Sequence, residues 1–445
     1  MYLRADIILD RLRTGIWPLP AVMMLGGGLL FRGAMWADQG GLSHTLLPAW
    51  WVHGGSVEDA RSLMSTLVAA MITMASLVFS ITVVTLTLAA SQYGSRLVRS
   101  YVRDRRTHFT LGLFAMTILY GLLALKVVGA GPQAGLAPGE PPHLTVTLGV
   151  VLGVVCVLAM LVFLHTIAHA IVADEVIRRV AAELEASIAT LSPDGMAPGP
   201  PPGPEPPAPH LVLSRQEGYV EAVRYHELLA RTTAEDGFVR LSVLAGQFVA
   251  RGDAIARYAR PGGPSEAFAT TVARLVLIGP ERTPVQDLAY SLRHLVDVAL
   301  RALSPALNDE NTAIVVIDRL RGALSRLLRK RLPSGYYVDA QGTPRVQGPR
   351  YTHQDHIQHA IEAIRRPAAA HPRVVVAAID ALALLVPHAA DAPMRHFLLG
   401  QAERVAEAGL QAAADAVERE AIEAALSRAR KACGEGIRSG ARTAG

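Results

Sequence analysis

LMSTLVAAMITMASLVFSITVVTLTLAA, residues 63–90, runs for twenty-eight positions without a charged side chain. About 20 mostly apolar residues are enough to cross a hydrocarbon core roughly 30 Å thick. The run therefore reads as a membrane-spanning helix, and the rest of the chain is read outward from it. Within and beside it, Ser62, Thr66, Ala69, Thr73, Ser76, Ser80, Val83, Thr87 and Ser91 follow one another at steps of three and four, which puts them on one helix face. Leu67, Val68, Ile72, Leu77, Phe79, Val84, Leu86 and Leu88 occupy the other faces. Two readings of the small, hydroxyl-bearing face stand side by side. In one, Ser, Thr and Ala let a neighbouring helix approach closely. In the other, the hydroxyls line a hydrated pathway around an oligomer axis. No carboxylate lies on this face within the span, which argues against a proton-coupled pump.

Three further stretches have the same character, at about Ile16–Phe31, Phe109–Val128 and Leu144–Ala173. The first holds Pro18, Pro20 and Gly26-Gly27-Gly28, breakers that a membrane helix tolerates when neighbours satisfy its backbone. It is expected to be a retained helix rather than a cleaved signal, with Arg4, Arg11 and Arg13 ahead of it. Arg96, Arg99, Arg103, Arg105 and Arg106 fall between the second and third spans, and Arg178 and Arg179 follow the fourth. Segment 129–143 has neither Lys nor Arg. The positive-inside rule then puts both termini in the cytoplasm of a bacterial inner membrane, with Trp36, Trp50 and Trp51 in an outer loop. Lys126 is placed to snorkel at the end of its span. The formal charge is +5, and with no aromatic-plus-basic platform beside it the surplus suits anionic lipid rather than nucleic acid. The two cysteines, Cys156 and Cys433, form neither a disulfide framework nor a zinc pattern.

Nine prolines crowd residues 192–210, a composition expected to form a semi-stiff tether. Residues 211–262 then read as a small β domain. Leu211–Leu213, Gly218–Val220 and Phe238–Val243 are rich in β-formers. The segment GQFVARGDAI, residues 246–255, resembles the turn of barrel-sandwich folds that carry lipoyl or biotinyl groups, although the attachment lysine is missing. A barrel-like shape is expected from it, and no cofactor. Arg251-Gly252-Asp253 inside it is read as a coincidental tripeptide in a turn. Residues 263–445 read as mainly helical, near 265–278, 285–302, 311–331, 354–366, 373–387 and 395–430, with a hairpin or long loop at 335–351.

Three polar groups are candidates for function. Arg293, Asp297 and Arg301 stand one turn apart before a break at Ser304-Pro305, and Asn308 or Asp309 can cap the next helix. This corner is either a salt-bridged joint, an anion site at a helix N-terminus, or an oligomer contact. His165 and His169 lie one turn apart at the end of the fourth span. His353, Asp355, His356 and His359 cluster on a later helix. A metal is conceivable for both groups, but neither supplies an obvious full ligand set, and the favoured reading is an interfacial end for the first and a solvated face for the second.

SLVFSITVVTLTLAASQYGSRLVRSYVRDRRTHFTLGLF at 76–114, FLHTIAHAI at 163–171 and the QD…LVDVALRALSPALND…TA pattern across 286–313 resemble the bacterial predicted-membrane-protein family called domain of unknown function 2254. The resemblance covers most of the chain in order. It departs at Glu310-Asn311, where the family turns on proline, and at Thr166, where the family repeats His. It implies a fold and no activity. The organisation expected is a four-helix transmembrane domain with a cytoplasmic helical extension at 1–191, a linker at 192–210, and cytoplasmic α+β parts at 211–262 and 263–445. Phosphate loops, nucleophile elbows, zinc-protease helices and dinucleotide fingerprints are missing from the sequence, so no catalytic residues, cofactor or metal are expected. Two functions are carried forward. One is an oligomeric channel for small ions, with the second span on the pathway and a cytoplasmic gate or vestibule. The other is a membrane-anchored regulatory or interaction protein without transport.

In a background lacking Cys156 and Cys433, a cysteine at Gln133 is expected to label from outside intact cells. One at Ser100 is expected to label only after permeabilisation, and the reverse pattern would break the four-span topology.

Overall fold

The computed structural model describes residues 17–40, 56–93, 105–130, 141–170, 173–189, 191 and 207–443. Trp50, Trp51, Arg96, Ser100 and Gln133, and the proline-rich stretch 192–206, lie outside the described residues. The chain forms two compact units, Met1–Val172 and Ala173–Gly445.

The first unit holds four helices long and apolar enough to cross a membrane: α1 (Pro18–Gln39), α2 (Val57–Tyr93), α3 (Arg105–Ala130) and α4 (His143–Ala170). α1 runs further than its apolar core suggested, so that Trp36 sits in its last turn rather than in a loop. α3 packs against the other three. Small residues let the backbones close up, as membrane packing requires. A Cβ on Gly27 of α1 would meet Met116 Cγ of α3 at 2.6 Å, and one on Gly121 of α3 would meet Val68 of α2 at 2.6 Å. Bulky apolar residues such as Phe79, Leu158 and Leu161 remain exposed, as expected of surface that faces lipid.

A polar clasp closes one end of this bundle. The Asp38 carboxylate at the end of α1 accepts from the backbone N–H groups of Leu144 and Thr145, each at 2.9 Å, and from Thr145 Oγ1 at 2.8 Å. It thereby caps α4 from a neighbouring helix, where orphan N–H groups and the helix dipole both favour an anion. The buried Tyr120 of α3 donates to the Thr145 carbonyl at 2.9 Å and meets Phe31 of α1 edge to face. Three helices are thus joined at one point.

The second unit begins with α5 (Ala173–Ala189), expected as an extension of the membrane domain. Its buried stripe of Val176, Ile177, Val180, Leu184 and Ile188 belongs to the core of this unit, and Glu185 pairs with Arg326 at 2.5 Å. Next come β1 (His210–Leu213), β2 (Gly218–Val223), α6 (Tyr225–Ala234), β3 (Phe238–Leu241), β4 (Phe248–Val249), β5 (Ala254–Ala259), α7 (Glu266–Leu275) and β6 (Val276–Gly279). The chain continues through α8 (Leu288–Ala302), α9 (Glu310–Leu328), the hairpin β7 (Tyr336–Val338) and β8 (Pro344–Gln347), then α10 (His353–Ala368), α11 (Pro372–Leu385), α12 (Ala392–Ala412) and α13 (Ala416–Thr443). α5 packs on α8 and α9.

The strands form a five-stranded sheet, β1-β5-β3-β8-β7, and a three-stranded sheet, β4-β2-β6. β6 and the β7–β8 hairpin come from outside 211–262, so the sheet region is larger than its sequence segment and draws on the later helical stretch. The sheets share a core that includes Val220, Val239, Ile255, Phe268 and Val346. In GQFVARGDAI, Gly246 has φ +86°, and a Cβ there would collide with the carboxylate of Asp287. That carboxylate is buried, bonds Arg282 Nε at 2.5 Å and caps α8 through Tyr290 N at 3.0 Å. Gly246 is therefore fixed twice, by its backbone angle and by the ion pair against it. α6 was not anticipated among the strands. The Ala-rich stretch 395–430 is two helices rather than one, because Asp415 caps α13 through Glu418 N at 2.8 Å.

Asp38→Ala should lower the unfolding free energy of the detergent-solubilised protein by about 1–2 kcal/mol, the usual cost of losing a helix cap. Asp38→Asn, which keeps acceptor oxygen, should lose less. Thermal unfolding monitored by circular dichroism would reveal equal losses if the clasp were immaterial.

Candidate functional site

α2 divides sharply into two faces. Ala60, Met64, Val68, Met71, Val78 and Thr85 are buried, and α3 and α4 are the helices packed on α2. At about 100° per residue, the hydroxyl-bearing stripe lies on the opposite side of the helix. Ser62, Thr66, Ala69, Thr73, Ser76, Ser80, Val83 and Thr87 are all exposed. The side chain of Ser91 lies outside the described residues. The stripe is thus not used for packing inside the four-helix unit.

Four of its hydroxyls are satisfied by their own helix. Thr66, Thr73, Ser76 and Thr87 donate to the carbonyls of Ser62, Ala69, Ile72 and Val83, each at 2.9–3.0 Å. A hydroxyl that has donated its proton keeps two acceptor lone pairs. The face is therefore a ladder of oxygens able to accept from water or to solvate a cation. Glu58 is exposed one turn before Ser62 on the same side, and Ser56 and Asp59 form a capping box at the helix start.

The corner at 293–309 spans the end of α8 and the start of α9. Arg293 is exposed, while Asp297 and Arg301 are half-buried. Arg293 and Asp297 face α10 and line with it a cleft of about 500 Å³ that includes Gln358, His359 and Glu362. The Ser304–Asp309 joint is a separate structure. Asn308 N donates to Ser304 O at 2.9 Å, with Asn308 at φ +49°, and Asp309 N donates to Ala302 O at 2.8 Å. Asp309 is the cap of α9, accepting from Thr312 N at 3.1 Å and Thr312 Oγ1 at 2.6 Å. Those bonds from Thr312 hold its carboxyl below the usual range. Asp287 is the deeply buried carboxylate here, and sequence reasoning passed over it, although an Asp directly ahead of an apolar-periodic run is a cap signal.

The histidines separate into unrelated roles. The side chain of His169 lies outside the described residues, and His165 is exposed. His353 Nε2 bonds the carbonyls of Leu327 and Lys330 at 3.0 and 3.1 Å. Asp355 forms a capping box with Thr352, and His359 Nδ1 bonds Asp355 O at 2.6 Å. His356 departs from the expected solvated face: it is 4% exposed, beside Tyr351, with no hydrogen-bond partner for Nδ1 among the described residues. No group of three metal-ligating side chains occurs among the described residues. Burial, and then the neighbouring His353, pushes the His356 imidazole down to about 4, so it is neutral at physiological pH. The Arg251-Gly252-Asp253 tripeptide is the β4–β5 turn, in which Asp253 accepts from Ala250 N at 2.8 Å.

Four apolar helices followed by a mixed helix-and-sheet unit define a polytopic membrane protein. The chain belongs to the family described as Predicted membrane protein (DUF2254), whose model matches residues 13–384. It is 31% identical over 438 residues to uncharacterised proteins of Mycobacterium bovis and Mycobacterium tuberculosis, spanning 96% of this chain and 82% of each of theirs. No solved structure matches.

Between pH 6.5 and about 4 the unfolded chain binds a proton at His356 that the folded chain does not, so folding stability falls as pH drops through that window and is fully retained above it. His356→Phe should flatten this part of the stability–pH curve. Melting curves of the two proteins that run parallel from pH 7 to 4 would refute the buried neutral imidazole.

Proposed function

We propose that this protein is an oligomeric ion-permeation protein of the bacterial inner membrane, with both termini cytoplasmic, α2 facing the pathway and the second unit serving as a cytoplasmic gate or vestibule. The observation that carries this reading is the orientation of α2, whose hydroxyl stripe lies opposite its packed face and stays exposed along the span. A ring of such faces from several copies encloses oxygens whose protons are already committed to helix carbonyls, a lining suited to small cations. Glu58 at one end would form a ring of carboxylates, a device that concentrates cations at a pore mouth. The same face packed dry against another α2 corresponds to the membrane-anchored regulatory or interaction protein.

Cysteines at Thr73, Ser80 and Thr87, in a background lacking Cys156 and Cys433, should react with a small charged thiol reagent, while cysteines at Ile72, Phe79 and Leu86 should not. Purified protein in liposomes should pass monovalent cations, and Glu58→Gln should reduce the preference for cations over anions. Six inert positions and tight liposomes would leave the dry, non-transporting reading in its place.

A further inference from the structure

The second unit also carries an open cavity of about 610 Å³, whose wall includes Asp287 and His356. Its wall is built from the end of α5 at Ala186, the loop residues Leu244 and Ala245, the segment leading into α8, and the aromatic groups Tyr225, Tyr337, Tyr351 and His356. The volume falls within the range of pockets that enclose most of a small organic ligand.

The polar groups of the wall sort into two sets. Gln286 and Asp287 are occupied. The Gln286 amide donates to Val223 O at 3.0 Å and accepts from Val223 N at 2.9 Å, and Asp287 holds Arg282. His356 Nδ1 is buried and has no hydrogen-bond partner among the described residues, and Tyr225, Tyr337 and Tyr351 line the same wall. Tyr225 and Tyr337 are stacked, with ring centroids 4.4 Å apart and planes 11° from parallel. Burial pushes both phenols upward, Tyr225 to about 12, and leaves the imidazole unprotonated. Tyr225, Tyr337 and His356 are therefore neutral at pH 7. Arg350, the remaining charged residue of the wall, is exposed.

We propose that this cavity binds an uncharged heteroaromatic small molecule of about nucleoside size, its ring lying among Tyr225, Tyr337 and Tyr351 and its edge hydrogen-bonded to their hydroxyls and to His356. A hydrocarbon chain would leave the buried His356 Nδ1 without a partner. A compact anion would find only the exposed Arg350 as a cationic partner among the lining residues, and would give up its hydration beside neutral groups. A planar molecule with donors and acceptors on its edge satisfies the shape, the aromatic wall and the buried His356 Nδ1 together.

The test uses the full-length protein in detergent, with adenosine and riboflavin as neutral probes and dodecanoate as the aliphatic comparison, followed by equilibrium dialysis. At least one neutral probe should saturate at one site per chain, and dodecanoate should not compete. Ala186→Trp, a substitution at an exposed wall position, should fill the cavity and weaken that binding by about tenfold or more. Tyr337→Phe keeps the stacked ring and removes one hydroxyl, and should weaken it by about five- to tenfold even if the tryptophan variant fails to fold. No saturable binding of either neutral probe, binding indifferent to Tyr337→Phe, or displacement by dodecanoate would each overturn the proposal.

Discussion

Hydroxyl groups on α2 donate to carbonyls four residues back, and this local satisfaction decides what the helix is free to do. A polar group in hydrocarbon must find a partner, and one that finds it on its own helix places no demand on its surroundings. α2 can therefore turn a hydroxyl-bearing face away from α3 and α4 without penalty. The packing of the first unit follows, with methionine, valine and alanine of α2 against α3 and α4, glycines at the close approaches, and the Asp38 clasp joining α1, α3 and α4.

The second unit rests on a different anchor. Asp287 caps α8, pairs with Arg282 and lies against Gly246, so one carboxylate ties a helix start to the turn that precedes β4. Removing one partner of a buried pair typically costs about 3–5 kcal/mol, more than any exposed ion pair is worth. The adjacent Gln286 binds both backbone groups of Val223 at the end of β2. The short segment 286–287 thus stitches sheet to helix.

The membrane helices were legible because long apolar runs and a three-four periodicity need no tertiary information. The direction of the α2 stripe was not, since periodicity groups residues on a face without saying which face meets a neighbour. The sheets were legible strand by strand, but not as assemblies, because β6 and the β7–β8 hairpin join them from far along the chain. At the corner, spacing put Arg293, Asp297 and Arg301 at one-turn intervals, and all three lie on α8. It could not show that α10 would line that side, whereas the cap at Asp309 was legible as an Asp just ahead of a helical run. His356 was grouped with its neighbours in sequence, and burial then separated it from them.

The back-bonded hydroxyls also bear on mechanics. Each carbonyl that accepts a side-chain proton shares its lone pairs with the helix ladder, which loosens that turn and favours bending. Thr66, Thr73, Ser76, Thr82, Thr85 and Thr87 do this at intervals over some six turns of a single helix. α2 is accordingly a compliant rod beside three helices pinned together at one end. Back-bonding of this kind disposes it to bend by small, distributed changes of ladder geometry rather than at one hinge residue.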